Sequence, residues 1–193
     1  AALSALVLAG GRGLELDVFS LNTAISVAEK GRGWPQAICV LADMGRCQVE
    51  ADTISFSSLI SAFAKAGDWQ RALDVLSEVW RMRLTPNVVT YGAAISACEK
   101  AEQWELALLL LWDLPARQLE PNAVVCNAAL SACGKGQCWE QAMALLWGMR
   151  RQKLEADTIT FNTAISASEK CAKWPLAGEL LAELQRRGLG PDV

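Results

Sequence analysis

Residues Val88 to Asn122 read VVTYGAAISACEKAEQWELALLLLWDLPARQLEPN, and altered copies of this stretch lie 35 residues to either side of it. Trp34, Trp69, Trp104, Trp139 and Trp174 keep the 35-residue spacing without a slip. Self-similarity at a fixed period of this size marks a stack of like supersecondary units, each needing a neighbour to cover its apolar face. Five whole units run 18–52, 53–87, 88–122, 123–157 and 158–192. Residues 1–17 fit the second half of a preceding unit, and Val193 opens a following one. No linker or shift in composition separates them, so one continuous array is expected. With no initiator Met, the sequence reads as a piece of a longer protein.

Each unit reads as two helices. Asp17, Asp52, Asn87, Asn122 and Asp157 precede the first, and their side chains can accept a hydrogen bond from an otherwise unpaired first-turn amide. Pro86, Pro121 and Pro191 stand just before this column and keep the preceding residue out of a helix. Phe56, Leu59, Ile60 and Phe63, like Tyr91, Ala94, Ile95 and Cys98, recur at helical spacing. The second helix opens at the tryptophan, where Pro35 and Pro175 suit a first turn. Trp69, Ala72, Leu73, Leu76 and Val79 line one face of it, which places the tryptophans in the core. Alanines 37, 72, 107, 142 and 177 let helices approach closely. Pro115 should end or kink its helix early, and Gly178 replaces a core apolar residue. The expected fold is an all-α, right-handed α-solenoid of helix-turn-helix repeats.

Composition narrows the chemistry. With 52% hydrophobic residues the chain can bury a sizeable core, and a formal charge of −3 implies no general polyanion-binding surface. Histidine is absent, which removes the commonest general base and metal ligand. Seven cysteines are an odd number and form no C-x-x-C pair. Reduced thiols of an intracellular compartment are therefore expected, with no disulfide framework, metal site or cofactor. No run approaches the roughly 18 apolar residues of a membrane span. The apolar start, Ala1 to Ala9, lacks the basic lead-in of a signal peptide and fits the repeat.

The 35-residue period, the helix openings Val88-Val89-Thr90-Tyr91 and Thr158-Ile159-Thr160-Phe161, the lysine closing that helix and the Pro-Asp/Asn ending together resemble the pentatricopeptide repeat family, over essentially the whole chain. The tryptophan column and Gly92 depart from the usual pattern. The resemblance implies single-stranded RNA as partner, one base read per repeat. It also implies a mitochondrial or plastid setting; with no histidine and no nucleophile–base pair or metal-ligand spacing, these residues are expected to catalyse nothing.

Under that resemblance one reading column is Asn22, Ser57, Gly92, Asn127 and Asn162; its bland alternative is polar surface. The other is Asp52, Asn87, Asn122, Asp157 and Asp192, which helix capping alone would explain. An ionised Asp only accepts hydrogen bonds, which suits the ring N–H of uracil or guanine; Asn can donate to adenine or cytosine. A longer Asn in the first column leaves room for a pyrimidine, and Ser leaves room for a purine. The family's pairings then give U for Asn22 with Asp52, Asn127 with Asp157 and Asn162 with Asp192, and A for Ser57 with Asn87. Gly92 with Asn122 is weakly selective. With the amino end toward the RNA 5′ end, the core is 5′-U-A-N-U-U-3′.

A third column, Phe19, Ile54, Val89, Val124 and Ile159, resembles the family's apolar wedges between bases; the alternative is packing between repeats. Lys30, Lys65, Lys100, Lys135 and Lys170 make a basic file suited to phosphates, against only Glu29, Glu99 and Glu169 on the same helices. Serines 26, 61, 96, 131 and 166 read as small packing residues. The rival readings are a tetratricopeptide-like scaffold that binds protein segments, and an RNA-processing enzyme with its catalytic domain elsewhere. Uncovered apolar ends imply self-association of the isolated piece.

Overall fold

In the computed structural model, residues 18–30, 34–46, 51–151, 154 and 156–188 are described. The expectations for 1–17, Asp192 and Val193 lie outside them. Among the described residues there are ten helices and no strand. The first helices are α1 (Val18–Lys30), α3 (Thr53–Ala66), α5 (Val88–Lys100), α7 (Ala123–Lys135) and α9 (Thr158–Lys170). The second helices are α2 (Trp34–Arg46), α4 (Trp69–Arg81), α6 (Trp104–Ala116), α8 (Trp139–Arg151) and α10 (Trp174–Arg186). The fold class is an all-α solenoid.

Local chemistry sets the helix boundaries. The Asp52 carboxylate accepts the Ser55 amide at 2.9 Å and opens α3. Asn87, Asn122 and Asp157 accept the amides of Thr90, Val125 and Thr160 at 3.0, 3.0 and 2.8 Å, opening α5, α7 and α9. In the four repeats from 53 to 192 the turn between the two helices closes through a left-handed residue. At Gly67 (φ 81°) this is relaxed, but Glu102, Gln137 and Ala172 adopt the same conformation with φ of 59°, 57° and 53°. A Cβ makes that conformation costly.

Contacts divide the chain into two compact units, Ala1–Ala97 and Cys98–Val193. In the first, α1 lies along α3, and α2 packs on both. Ile25, Ile60, Phe63 and Val79 are its fully buried centre. In the second, α7 lies along α9, α6 packs on α7, and α8 packs on both first helices. Leu114, Leu130, Leu146, Met149 and Phe161 fill it. Ala37, Ala72, Ala107 and Ala142 have no exposed surface, as close helix approach requires; Ala177 is half-buried. Within each unit the first helices thus form a row with the second helices behind it.

Three expectations need correction. The tryptophans are not core residues: Trp34, Trp69, Trp104 and Trp139 are half-buried, and Trp174 is 64% exposed. Each stands at a helix start, and the rings of Trp34, Trp104 and Trp139 meet residues of the next repeat while staying partly exposed. Trp34 meets Phe63 at 5.7 Å between centroids and carries the Arg71 guanidinium 4.6 Å away. Trp104 presses on the turn at Gly136, where an added Cβ would come within 2.1 Å of its ring. Pro115 does not cut α6 short; that helix has the same 13 residues as α4 and α8. Pro115 is its penultimate residue, and Arg117 restores the ladder by donating to the Asp113 carbonyl at 3.1 Å. Serines 61 and 131 are not mere packing residues, because each donates to a glutamate of the preceding repeat at 2.7 Å.

Candidate nucleic-acid interface

The first-helix row positions the candidate residues. Phe19, Ile54, Val89, Val124 and Ile159 are the second residue of their helices, with 79, 60, 70, 73 and 61% of their surface exposed. Packing between repeats, the alternative for this column, does not account for them. Three residues further along, on the same helix face, come Asn22, Ser57, Gly92, Asn127 and Asn162, all half-buried.

Three of the five expected pairs are joined, each through a hydroxyl. The Asn22 amide donates to Asp52 Oδ1 at 3.2 Å, while the Ser55 hydroxyl lies 2.5 Å from Asn22 Oδ1 and 2.9 Å from Asp52 Oδ1. Ser57 and Thr90 share a hydroxyl–hydroxyl bond of 2.7 Å, and Thr90 donates to Asn87 Oδ1 at 3.1 Å. The Thr160 hydroxyl lies 2.7 Å from both Asn127 Oδ1 and Asp157 Oδ1. Ser55, Thr90 and Thr160 are fully buried. This hydroxyl column was missed in the sequence, although a hydroxyl recurs there at Ser20, Ser55, Thr90 and Thr160. Val125 interrupts it, and Gly92 of the preceding repeat offers no side chain. Asp192, the partner expected for Asn162, lies outside the described residues.

The network sets the charge of the acids. Burial pushes the Asp52 carboxyl upward, but bonds from the Ser55 amide and hydroxyl and from Asn22 outweigh it and hold the pKa below its ordinary 3.8. Bonds from the Thr160 amide and hydroxyl lead the same downward shift at Asp157, against burial and with help from Asn127. Both are therefore anionic, acceptor-only groups at neutral pH.

The lysine file is uneven. Lys65 pairs with Glu29 at 2.9 Å, and Lys135 with Glu99 at 3.0 Å. Lys30, Lys100 and Lys170 are exposed. Among the described residues no group of three or more His, Cys, Asp and Glu side chains could hold a metal ion. Burial pushes the thiols of Cys98 and Cys126 up to about 11 and that of Cys133 to about 12, so they stay protonated and inert.

A helical-repeat solenoid with one exposed apolar residue per repeat, and three polar sets that each join two successive repeats, defines the class. Within it, the chain belongs to the pentatricopeptide repeat family. The pentatricopeptide repeat domain model matches residues 39–101, and the PPR repeat model matches 89–118 and 124–154, together more than half of the sequence. No curated protein matches the chain significantly. Among solved structures it is similar to the pentatricopeptide repeat protein PPR10 in complex with an 18-nt psaJ RNA element (TM-score 0.81, 19% identity), covering 98% of this chain and 28% of that one. PPR10 from maize gives a TM-score of 0.77 at 25% identity, over 99% of this chain and 27% of that one. The PPR domain of Arabidopsis thaliana protein-only RNase P 1 in complex with tRNA gives 0.75 at 13%, over 88% and 90%. The chain thus spans just over a quarter of the PPR10 chain.

Proposed function

We propose that this chain binds single-stranded RNA modularly, one base per repeat, with the core 5′-U-A-N-U-U-3′. The observation that carries this is the exposed apolar file at Phe19, Ile54, Val89, Val124 and Ile159, set one helical turn from the polar pairs. Five exposed apolar side chains in register cost solvation unless a ligand covers them, and base faces are apolar and regularly spaced. Family membership, and a solved relative in complex with an RNA element, support the same reading. Asp52 and Asp157, kept anionic, accept the ring N–H of uracil. Asn87 supplies a donor for adenine, and Gly92 leaves the third position open.

The chain itself catalyses nothing on this reading; metal-dependent RNA cleavage surviving repurification would refute that. The setting is a mitochondrion or plastid, which a fluorescent fusion of the protein tests. Trp174 and Leu181, exposed on α10, give the 193-residue chain a surface for self-association. A sedimentation coefficient independent of concentration would contradict this. The function itself is tested by comparing labelled UAAUU-containing RNA with a scrambled strand and its duplex at fixed salt. The expected order of affinity is core, then scramble, then duplex. Equal binding of all three would overturn the proposal.

A further inference from the structure

Resting on the RNA-binding reading, we infer that the lysine file is divided into two alternating classes. In this division Lys100 and Lys170 hold RNA phosphates, while Lys65 and Lys135 are withheld by the glutamate of the preceding repeat. Lys135 shows the withheld state. Its ammonium lies 3.0 Å from Glu99 Oε1 and 3.4 Å from the Glu99 carbonyl, and Ser131 donates to the same Oε1 at 2.7 Å. Lys65, Glu29 and Ser61 repeat the arrangement at 2.9 and 2.7 Å. The side chains of these two lysines are 36 and 33% exposed and those of their glutamates 20%, so the pairs are partly desolvated. A phosphate approaching either lysine meets a neutralised charge and a carboxylate that repels it.

At the position 36 residues before Lys100 and Lys170 the sequence offers no carboxylate. Gly134 stands 35 residues after Glu99, and Ala64 stands 35 residues before it. An added Cβ at Gly134 would come 3.2 Å from the Ala167 Cβ, so that seam is closed by close backbone packing in place of a carboxylate. Lys100 and Lys170 are exposed and make no ion pair among the described residues. They stand 70 residues apart, two repeats. At one base per repeat, this chain then grips every second phosphate. The ligand class is the single-strand phosphodiester backbone, and the alternation lowers the salt-dependent, sequence-blind part of binding while leaving base contacts intact.

The test is the slope of log affinity against log salt for a UAAUU-containing strand, measured for the chain and its variants. Each single-strand phosphate contact contributes about 0.7 to that slope. Lys170→Ala and Lys100→Ala should each flatten it by about that much, and Lys65→Ala and Lys135→Ala should leave it unchanged. Glu99→Gln, whose amide still accepts from Ser131, should free Lys135 and steepen the slope by a similar step; adding Lys135→Ala should reverse the gain. Equal flattening by Lys135→Ala and Lys170→Ala would overturn the alternation while leaving RNA binding standing. Absence of binding by the unaltered chain would overturn both.

Discussion

First and second helices both expose large apolar side chains, but they do so in different order. On the first helices the exposed file returns in every repeat, from Phe19 to Ile159, at 60 to 79% exposure. On the second helices Leu109, Trp112 and Trp147 are comparably exposed, at 60, 66 and 57%. Their counterparts 35 residues earlier are Asp74, Ser77 and Trp112, so the patch is local. Trp112, Pro115, Leu145 and Gly148 line a groove of about 400 Å³ there. Packing explains neither file. Trp174, at 64%, and Leu181, at 40%, add exposed apolar surface on α10, but their counterparts 35 residues earlier are the half-buried Trp139 and the buried Leu146. A surface that repeats with the chain fits a ligand that also repeats; one that does not return in every repeat does not. The difference separates the proposed reading face from ordinary variation in exposed residues.

The sharpest way to break this comparison is to blunt each face in turn. Replacing Val124 and Ile159 together with Ser should weaken RNA binding by about 1–3 kcal/mol in all, because an aliphatic side chain against a base is worth less than the aromatic stacking that contributes about that much per base. Melting should hardly move, because both side chains are exposed. Replacing Leu109 and Trp112 with Gln should leave RNA affinity where it was. Equal losses from both double variants, read by fluorescence anisotropy, would erase the distinction between the faces.

A smaller effect should come from the buried hydroxyl beneath the reading face. Thr160→Val keeps the shape but removes the group that joins Asn127 to Asp157. Thermal unfolding should show a loss of about 1 kcal/mol, the usual net worth of such a bond. The preference for U at the fourth base should weaken, and preferences elsewhere should stay. Unchanged base preference would make the hydroxyl a capping device alone.

Comparable in size, but separate from either face, are the left-handed turns. Gln137→Gly and Ala172→Gly should each raise stability by about 1 kcal/mol by removing a Cβ from a disfavoured conformation. RNA affinity at a temperature where both proteins are folded should not change. A loss of stability would mean that the side chains make contacts outweighing the strain.

Acid provides the smallest change. Asp52 and Asp157 have folded pKa values below 3.8, so the stability they lend is complete above that value and is lost as pH falls through the lower folded one. Melting temperature should therefore be flat in this respect from pH 5 to 8 and decline below about pH 4. Asp157→Asn should make the decline shallower. An unaltered acid limb would deny Asp157 its bonded role.

Much of the architecture was legible because the repeat states its own boundaries. The capping column and the tryptophans mark the residues at which the first and second helices begin. The turns were harder to read: Gly67 signals a left-handed residue, but Glu102, Gln137 and Ala172 give no such sign. Their conformation is imposed by helix packing against local preference. The tryptophans misled because a helical apolar stripe does not tell how far the next repeat covers its first residue. In the candidate site, the two polar columns were legible through their 35-residue register together with the family resemblance. The hydroxyls of Ser55, Thr90 and Thr160 did not, since Ser and Thr near a helix start are commonplace until seen bridging two repeats. The pairing of Lys65 and Lys135 was hidden for a related reason. Each partner lies 36 residues earlier, and adjacency at that distance comes from stacking of repeats.

The central claim is that each repeat chooses its own base. Asn127→Thr tests it most directly, beside an unchanged Asp157. Ser57 already shows a hydroxyl in this column bonding the hydroxyl of the next repeat at 2.7 Å, so the introduced threonine can replace the bond to Thr160. The acceptor that demands a ring N–H remains, and the shorter side chain opens room for a purine. Binding should be measured against four strands that differ only at the fourth base of the core. The account predicts that preference there moves from U to G by about 1–3 kcal/mol, with the other positions unmoved because separate repeats act nearly independently. Equal loss of affinity for all four bases would make Asn127 a structural residue and contradict the claim.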